Sequence, residues 1–339
     1  MSASPLLELV DIRKTYRLRA GLLARLLGRE PAFDALGGIT LSVLPGEVFG
    51  LVGESGSGKS TLAKIIARLL APTAGSVVYR GEQVTALEGR ALLPYRRRVQ
   101  MIFQDSHSSL NPRKRIGRIL GEALAARGVS RASRGRETEH LLETVGLGRF
   151  MLGRYPHELS GGQRQRVSIA RSLAMEPELL IADEPVSSLD VSLQGQIINL
   201  LMQLCRNLGL TLIFISHDLA VVKRISSRIM VIYAGRIVEC GPPDTLLNAP
   251  AHPYTQALID ALPKGIAGRD RQRRGRDAAP SATEAKPSGC PFLPRCARAL
   301  AICGSRFPET MQLAENHSVA CHFAAGAASA SAKGIEQEG

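Results

Sequence analysis

Apolar and polar positions along the chain alternate between strand-like and helix-like periods. LLELVDIRKTYRL (6–18) has strand-forming content, and ITLSVLPGEVFGLVG (39–53) alternates before turning wholly apolar about a PGE turn. That pattern predicts an antiparallel strand feeding a buried one. STLAKIIARLL (60–70) has helical spacing closed by Pro72 and Gly75. From about 105 to 172 the pattern is helical and polar. PELLIADEP (177–185) reads as a buried strand ending in acids, and SLQGQIINLLMQLCRNLG (192–209) as an amphipathic helix stopped by Gly209. LTLIFISHD (210–218) reads as another buried strand, and SRIMVIYAGRIVECGPP (227–243) as a hairpin turning at Ala234-Gly235. Buried strands alternating with helices predict an α/β fold with a largely parallel sheet.

The same patterning divides the chain. Residues 1–263 carry the periodic segments, with a helical portion at about 105–172. Within them, 20–31 (AGLLARLLGREP) is a basic, apolar excursion, read as a surface loop or hairpin, with a membrane-proximal foot as the sharper alternative. Residues 264–289 are rich in Arg, Pro, Ser, Ala and Gly and read as a linker. A cysteine-rich extension follows at 290–323, and 324–339 is a low-complexity tail expected to be disordered. No internal repeat is present.

Composition changes this picture little. The 339 residues suffice for one large domain with an appendage, and 45% apolar with 22% charged content is ordinary for a globular chain. Trp is absent and aromatics reach only 4%, so the core is expected to be aliphatic. The net charge of +13 is partly local, concentrated in the arginine-rich run 268–277, and does not by itself select nucleic acid over other anionic ligands. No secretory leader pattern opens the chain, and no segment approaches the ~20 apolar residues of a membrane span. A reducing cytosolic setting is therefore expected.

GESGSGKST (53–61) has the G-x-x-x-x-G-K-[ST] spacing after a buried strand and before a helix. Gly53, Glu54, Ser55, Gly56, Ser57 and Gly58 offer backbone N–H groups around phosphate oxygens, and the helix adds its positive end. Lys59 would reach the β- and γ-phosphates, and Ser60 and Thr61 follow, Ser60 offering a hydroxyl to Mg²⁺. Asp183 and Glu184 end a buried strand, where unpaired carboxylates are costly. Beside a cation the cost disappears: Asp183 would complete the Mg²⁺ shell, and Glu184 would face an attacking water as general base.

LSGGQRQR (159–166) adds a second anion cradle at Ser160, Gly161, Gly162 and Gln163. This segment resembles the signature of the ATP-binding cassette (ABC) ATPases. The other motifs stand in that family's order: phosphate loop, Gln104 in FQDSHSSLNP (103–112), signature, Asp183-Glu184, SSLD (187–190), and His217 in ISHD (215–218). The resemblance covers roughly 6–260. It implies an ABC-type P-loop NTPase nucleotide-binding domain, with an antiparallel β-subdomain, an inserted α-helical subdomain and a small Cys-rich extension. It implies ATP and Mg²⁺ as ligands, with Tyr16 stacking on adenine, Gln104 contacting Mg²⁺ and water, His217 holding the γ-phosphate and Asp190 acting across a dimer interface. It further implies a head-to-tail pair with a second nucleotide-binding subunit, identical or different, each ATP lying between one subunit's phosphate loop and the other's signature. All catalytic positions carry the active residue types, so hydrolysis is expected.

RYPHELSGGQRQR (154–166), EPVSSLDVSLQGQIINLL (184–201), HPYTQALI (252–259) and CPFLPRC (290–296) look like the ATPase subunits of bacterial oligopeptide and dipeptide importers. That implies peripheral attachment at the cytoplasmic face of the inner membrane, with two membrane permease subunits and, indirectly, an extracytoplasmic substrate-binding protein. Relatives in this branch also import nickel chelates or heme. A soluble ABC-type ATPase acting on nucleic acid is the rival class, but such proteins carry two cassettes or a long coiled-coil insertion. No nucleic-acid partner is expected.

Cys290, Cys296, Cys303 and Cys321 gather in the extension, with His317 and His322 close to the last of them. In a reducing compartment this favours a metal over disulfides. No tight C-x2-C pair typical of zinc occurs, and the residues alone leave zinc and iron–sulfur both open. The resemblance implies a [4Fe–4S] cluster on these thiols, with Zn²⁺ the alternative. Its role is read as a staple for a segment too small to build its own core, and a redox switch on ATP turnover is the lesser reading. Cys205 and Cys240 are read as core residues.

Overall fold

The computed structural model describes residues 4–17, 32–105, 109–262 and 288–324. The excursion at 20–31, nearly all of the linker and the tail beyond 324 lie outside the described residues.

Two sheets form the body. Strands β1 (Leu7–Arg17), β2 (Ala32–Val43), β4 (Ala74–Tyr79) and β5 (Glu82–Gln83) make an antiparallel sheet in the order β2-β1-β4-β5. The second sheet contains β3 (Val48–Val52), β6 (Val99–Ile102), β7 (Leu179–Asp183), β8 (Thr211–Ser216), β9 (Arg228–Tyr233), β10 (Arg236–Gly241), β11 (Met311–Ala314) and β12 (His317–Val319). Its order is β11-β12-β10-β9-β3-β8-β7-β6, with β9, β3, β8, β7 and β6 mutually parallel.

The continuous apolar runs of the central strands follow from burial on both faces. Leu179 and Ile181 of β7 pack toward the antiparallel sheet, whereas Leu180 and Ala182 pack toward the helices. Phe214 of β8 and Val231 of β9 face the helices, and Ile213, Ile215 and Ile232 face the other way. The hairpin at Ala234-Gly235 is present, both residues having positive φ (45° and 76°).

Helices α1 (Lys59–Ile66), α2 (Leu93–Arg98), α3 (Ile116–Arg127), α4 (Arg134–Thr144), α5 (Gly161–Leu173), α6 (Val191–Leu208), α7 (Leu219–Ile225), α8 (Pro243–Asn248) and α9 (Pro253–Asp260) complete the body. α1 ends earlier than its apolar periodicity suggests. Arg68 takes a φ of 53°, and its guanidinium donates to the Val84, Thr85 and Leu87 carbonyls. At that turn the Leu69 and Leu70 N–H groups fold back onto the Lys64 carbonyl and close the helix.

The cysteine segment departs from the expected appendage. β12 pairs with β10, so β12 and β11 extend the edge of the main sheet. Phe292 lies against Tyr233 and Tyr254, with ring centroids 5.3 and 5.5 Å apart. Cys290, Phe292 and Cys303 belong to the same buried cluster as the central strands. The segment therefore borrows the body's core as well as any bound group. Cys205 is buried in α6, and Cys240 lies in β10 with its thiol pushed up to about 11 by burial.

Candidate nucleotide site

The parallel strands deliver their chemistry at one edge, beyond their carboxyl ends, where open α/β sheets bind ligands. The phosphate loop follows β3, Gln104 follows β6, Asp183 and Glu184 end β7, and His217 follows β8. The loop's glycines are required by packing. A Cβ at Gly53 would stand 2.2 Å from the Ile232 carbonyl oxygen, and Gly58 has a φ of +103° with the Ala35 carbonyl 2.6 Å from a built Cβ.

Lys59 is 4% exposed. Its Nζ donates to the Gly53 and Glu54 carbonyls at 2.8 Å each. Burial lowers its pKa, while Glu184, Asp183 and Glu54 pull it back up. Such an ammonium gains from any anion that enters the loop. Asp183 is 3% exposed, and burial raises its carboxyl above the usual range. Ser60 Oγ donates to Asp183 Oδ1 at 3.1 Å. A buried, oxygen-rich pair of this kind suits a hard divalent cation.

Glu184 has a φ of 45°, and its N–H donates to the Ile215 carbonyl at 3.0 Å. The turned backbone holds its carboxylate between two neighbours: Gln104 Nε2 donates to Oε2 at 3.0 Å, and His217 Nδ1 stands 3.4 Å from the same oxygen. Gln104, Glu184 and His217 thus meet, while Ser60 and Asp183 form a separate pair and Lys59 rests on its own loop. Tyr16, on β1, is 38% exposed with Lys14 Nζ 5.4 Å from its ring centroid, leaving an aromatic face toward solvent.

The signature stands apart. Ser160 caps α5: its Oγ accepts from the Gln163 N–H at 3.3 Å, and Gln163 Oε1 accepts from the Ser160 N–H at 3.0 Å. Behind the cradle, built Cβ atoms at Gly161 and Gly162 would meet Leu189 at 3.2 Å and Leu193 at 3.5 Å. Asp190 is exposed at the start of α6 and makes no side-chain cap there. Among the described residues, no hydrogen bond or ion pair joins Ser160–Gln163 to the phosphate loop.

Two contacts were not foreseen from the sequence. Tyr254, fully buried in α9, accepts the Glu54 N–H at its hydroxyl at 2.9 Å. Arg295 makes a two-pronged pair with Glu54, at 2.9 and 3.0 Å. The proximity of Arg295 to two cysteines in CPFLPRC was the only available signal. Tyr254→Phe leaves the Glu54 N–H without its acceptor and is expected to cost about 1–3 kcal/mol, read by chemical denaturation.

Cys290, Cys296, Cys303 and Cys321 line one small cavity with Phe292 and Phe323, and with His252, Arg298 and His322. Burial raises the Cys290 and Cys321 thiols, while backbone N–H groups of Phe292, Phe323 and Ala324 favour their thiolates. Among the described residues, no group of three or more His, Cys, Asp or Glu stands where it could hold a single metal ion. His317 and His322 each have a hydrogen-bond partner, His322 while also lining that cavity. His317 Nε2 lies 2.8 Å from the fully buried Glu239, and His322 Nε2 lies 3.0 Å from the Arg306 carbonyl oxygen.

The phosphate loop, paired acids and capped second cradle define a P-loop ATPase of the ABC type. A family model described as ABC transporter matches residues 36–187, and one described as oligopeptide/dipeptide transporter, C-terminal region, matches 238–303. The chain is 45% identical over 326 residues to a probable peptide ABC transporter ATP-binding protein, y4tS, of Sinorhizobium fredii, covering 96% of this chain and 92% of that one. It is 44% identical over 325 residues to the oligopeptide transport ATP-binding protein AppF of Bacillus subtilis, covering 94% and 97%. Among solved structures, a dimeric ATP-binding cassette in a post-hydrolysis state bound to ADP and Pi matches with a TM-score of 0.60 at 28% identity, over 70% of this chain and 98% of that one. The cbiO1 subunit of a Clostridium perfringens ABC transporter complex gives 0.62 at 25% identity, over 72% and 91%. The chain belongs to the family of ABC transporter ATP-binding proteins. Among the described residues, no helix is long and apolar enough to cross a membrane.

Proposed function

We propose that this chain is the ATP-hydrolysing subunit of a peptide importer, attached peripherally at the cytoplasmic face of the inner membrane. The observation that carries the ATPase half is what gathers at the carboxyl ends of the parallel strands: Lys59 held by its own loop, Ser60 bonded to Asp183, and Glu184 between Gln104 and His217. The peptide half is supported by the named relatives and by the match to the oligopeptide/dipeptide C-terminal region.

In this reading Gly53–Thr61 wraps the phosphates, Lys59 leaves its carbonyls for the β- and γ-oxygens, and Tyr16 carries the adenine. Ser60, Asp183 and Gln104 would hold Mg²⁺, which supplies charge neutralisation at the phosphates. Glu184 orients and deprotonates the attacking water, and His217 steadies the γ-phosphate. Ser160, Gly161, Gly162, Gln163 and Asp190 close over the nucleotide of a second cassette. The N-terminus of α5 suits that role, because the capping box occupies only the Ser160 and Gln163 N–H groups and a helix start favours an anion. The divisions at 263, 289 and 323 are the proposed domain limits.

A groove of about 590 Å³ lined by Arg96, Arg97, Lys114, Glu122 and Arg171 lies beside α3 and is the proposed seat for a permease segment. To test the cargo, the chain would be reconstituted with its two permeases and binding protein. ATP-dependent uptake of a labelled oligopeptide is the expected result. Uptake of chelated nickel or heme instead would overturn the peptide assignment.

The four thiols are proposed to hold a [4Fe–4S] cluster. Their convergence on one cavity, with backbone N–H groups favouring the Cys290 and Cys321 thiolates, supports it, because each iron of such a cluster needs one thiolate and the sulfurs need donors. Bound, it would cross-link the turns that carry Cys290, Cys296, Cys303 and Cys321, in addition to their backbone hydrogen bonds and buried contacts. Protein purified without oxygen is expected to carry about four irons and four sulfides per chain, and removing them should lower the unfolding temperature. One zinc per chain without colour contradicts the cluster.

A further inference from the structure

Glu54 presents a difficulty in a loop that binds polyphosphate. Its carboxylate sits on the phosphate loop, and its side chain is 43% exposed. An uncovered negative charge at that place repels ATP, and a free side chain leaves the loop's first turn loosely held. The structure covers this charge from far along the chain. Arg295 Nη1 donates to Glu54 Oε2 at 2.9 Å and Nη2 to Oε1 at 3.0 Å, across 241 positions of sequence. A planar guanidinium gripping both oxygens fixes direction as well as charge. Arg295 is itself braced, its guanidinium carbon lying 5.8 Å from the Tyr233 ring centroid and 5.5 Å from that of Phe292.

Arg295 ends a short 3₁₀ turn, Leu293–Arg295, bounded by Cys290 and Cys296. The Cys296 N–H donates to the Leu293 carbonyl, and the Cys290 N–H to the Cys303 carbonyl. The turn that carries the guanidinium is thus built from the walls of the cysteine cavity.

We propose that Arg295 is a positioning residue for the phosphate loop, neutralising and orienting Glu54 so that nucleotide affinity depends on the order of the C-terminal cysteine segment. The inference rests on the ATP reading above. It places the extension in the workings of the site instead of leaving it as an appendage.

MgATP binding to the full chain, measured by calorimetry beside steady-state turnover, tests this. Arg295→Ala is expected to weaken MgATP binding about 10-fold, with turnover at saturating ATP changed by less than about twofold. Arg295→Lys restores charge without the two-pronged grip and is expected to lie between, and it serves if the alanine variant does not fold. The decisive variant is Arg295→Ala combined with Glu54→Gln. Removing the exposed carboxylate should recover most of the lost affinity, which a merely structural loss would not do. Cys296→Ser should weaken binding when Arg295 is present and add nothing to Arg295→Ala. Unchanged affinity in Arg295→Ala, no recovery in the double variant, or additive losses with Cys296→Ser would each overturn the proposal. A wild-type chain that binds no MgATP would overturn the ATP reading itself.

Discussion

Glu184→Gln is expected to lower ATP turnover about 10²- to 10⁴-fold while leaving MgATP affinity within a few-fold of wild type. The substitution keeps shape and one acceptor oxygen, so the contact from Gln104 Nε2, now 3.0 Å, can persist. What disappears is a base. Glu184 is placed by backbone, not by chance: its positive φ and its N–H bond to the Ile215 carbonyl aim the side chain at the space between Gln104 and His217. Its side chain is only 11% exposed, so bulk water does not readily replace it. The comparison to make is the single-turnover rate against nucleotide affinity in the same preparation. Turnover surviving within a few-fold would remove Glu184 from the base role and leave it a spacer.

Lys59→Ala is the second large effect. It should weaken MgATP binding at least about 100-fold, since charge-assisted bonds to phosphate are the strongest the loop can offer. The nucleotide-free arrangement explains the size. Lys59 is buried, its charged form disfavoured by desolvation, and its Nζ rests on two carbonyls of its own loop. Exchanging neutral carbonyl oxygens for phosphate oxygens relieves that desolvation, and alanine forfeits the gain. Calorimetry gives the affinity, and a thermal midpoint within a few degrees of wild type separates lost ligand from lost fold. Affinity unchanged by the substitution would place the phosphates elsewhere.

The parts of the molecule that the sequence revealed share a physical cause. Strands β3, β7 and β8 are buried on both faces, so their apolar runs are unbroken and their ends are marked by the loop, the acids and the histidine. The Ala234-Gly235 turn was visible because Gly235 interrupts two strand-like runs and accepts a positive φ, whereas the positive φ of Ala234 has no signal in its residue type. What stayed hidden depends on distant partners. The early end of α1 coincides with Arg68 donating to carbonyls of residues 84–87 that only tertiary structure brings to it. β11 and β12 are short, with β11 half-exposed, and their pairing to β10 has no local signature. His317 stood near a cysteine in sequence yet pairs with Glu239, and Arg295 looked like a bystander in a thiol motif yet grips the phosphate loop. Site chemistry was legible where one segment holds all of it, and illegible where two segments far apart complete it.

The proposed cycle requires this chain to bind ATP in its own loop and to close it with the cradle of a second cassette. Hydrogen exchange on the Glu184→Gln protein in the assembled transporter, with and without MgATP, tests both halves at once. The account predicts that ATP slows exchange at Gly53–Thr61 and also at Ser160–Gln163, two stretches that no hydrogen bond or ion pair joins within the described residues. Exchange unchanged at 53–61 would contradict the nucleotide site, and protection there without any at 160–163 would contradict the sandwich.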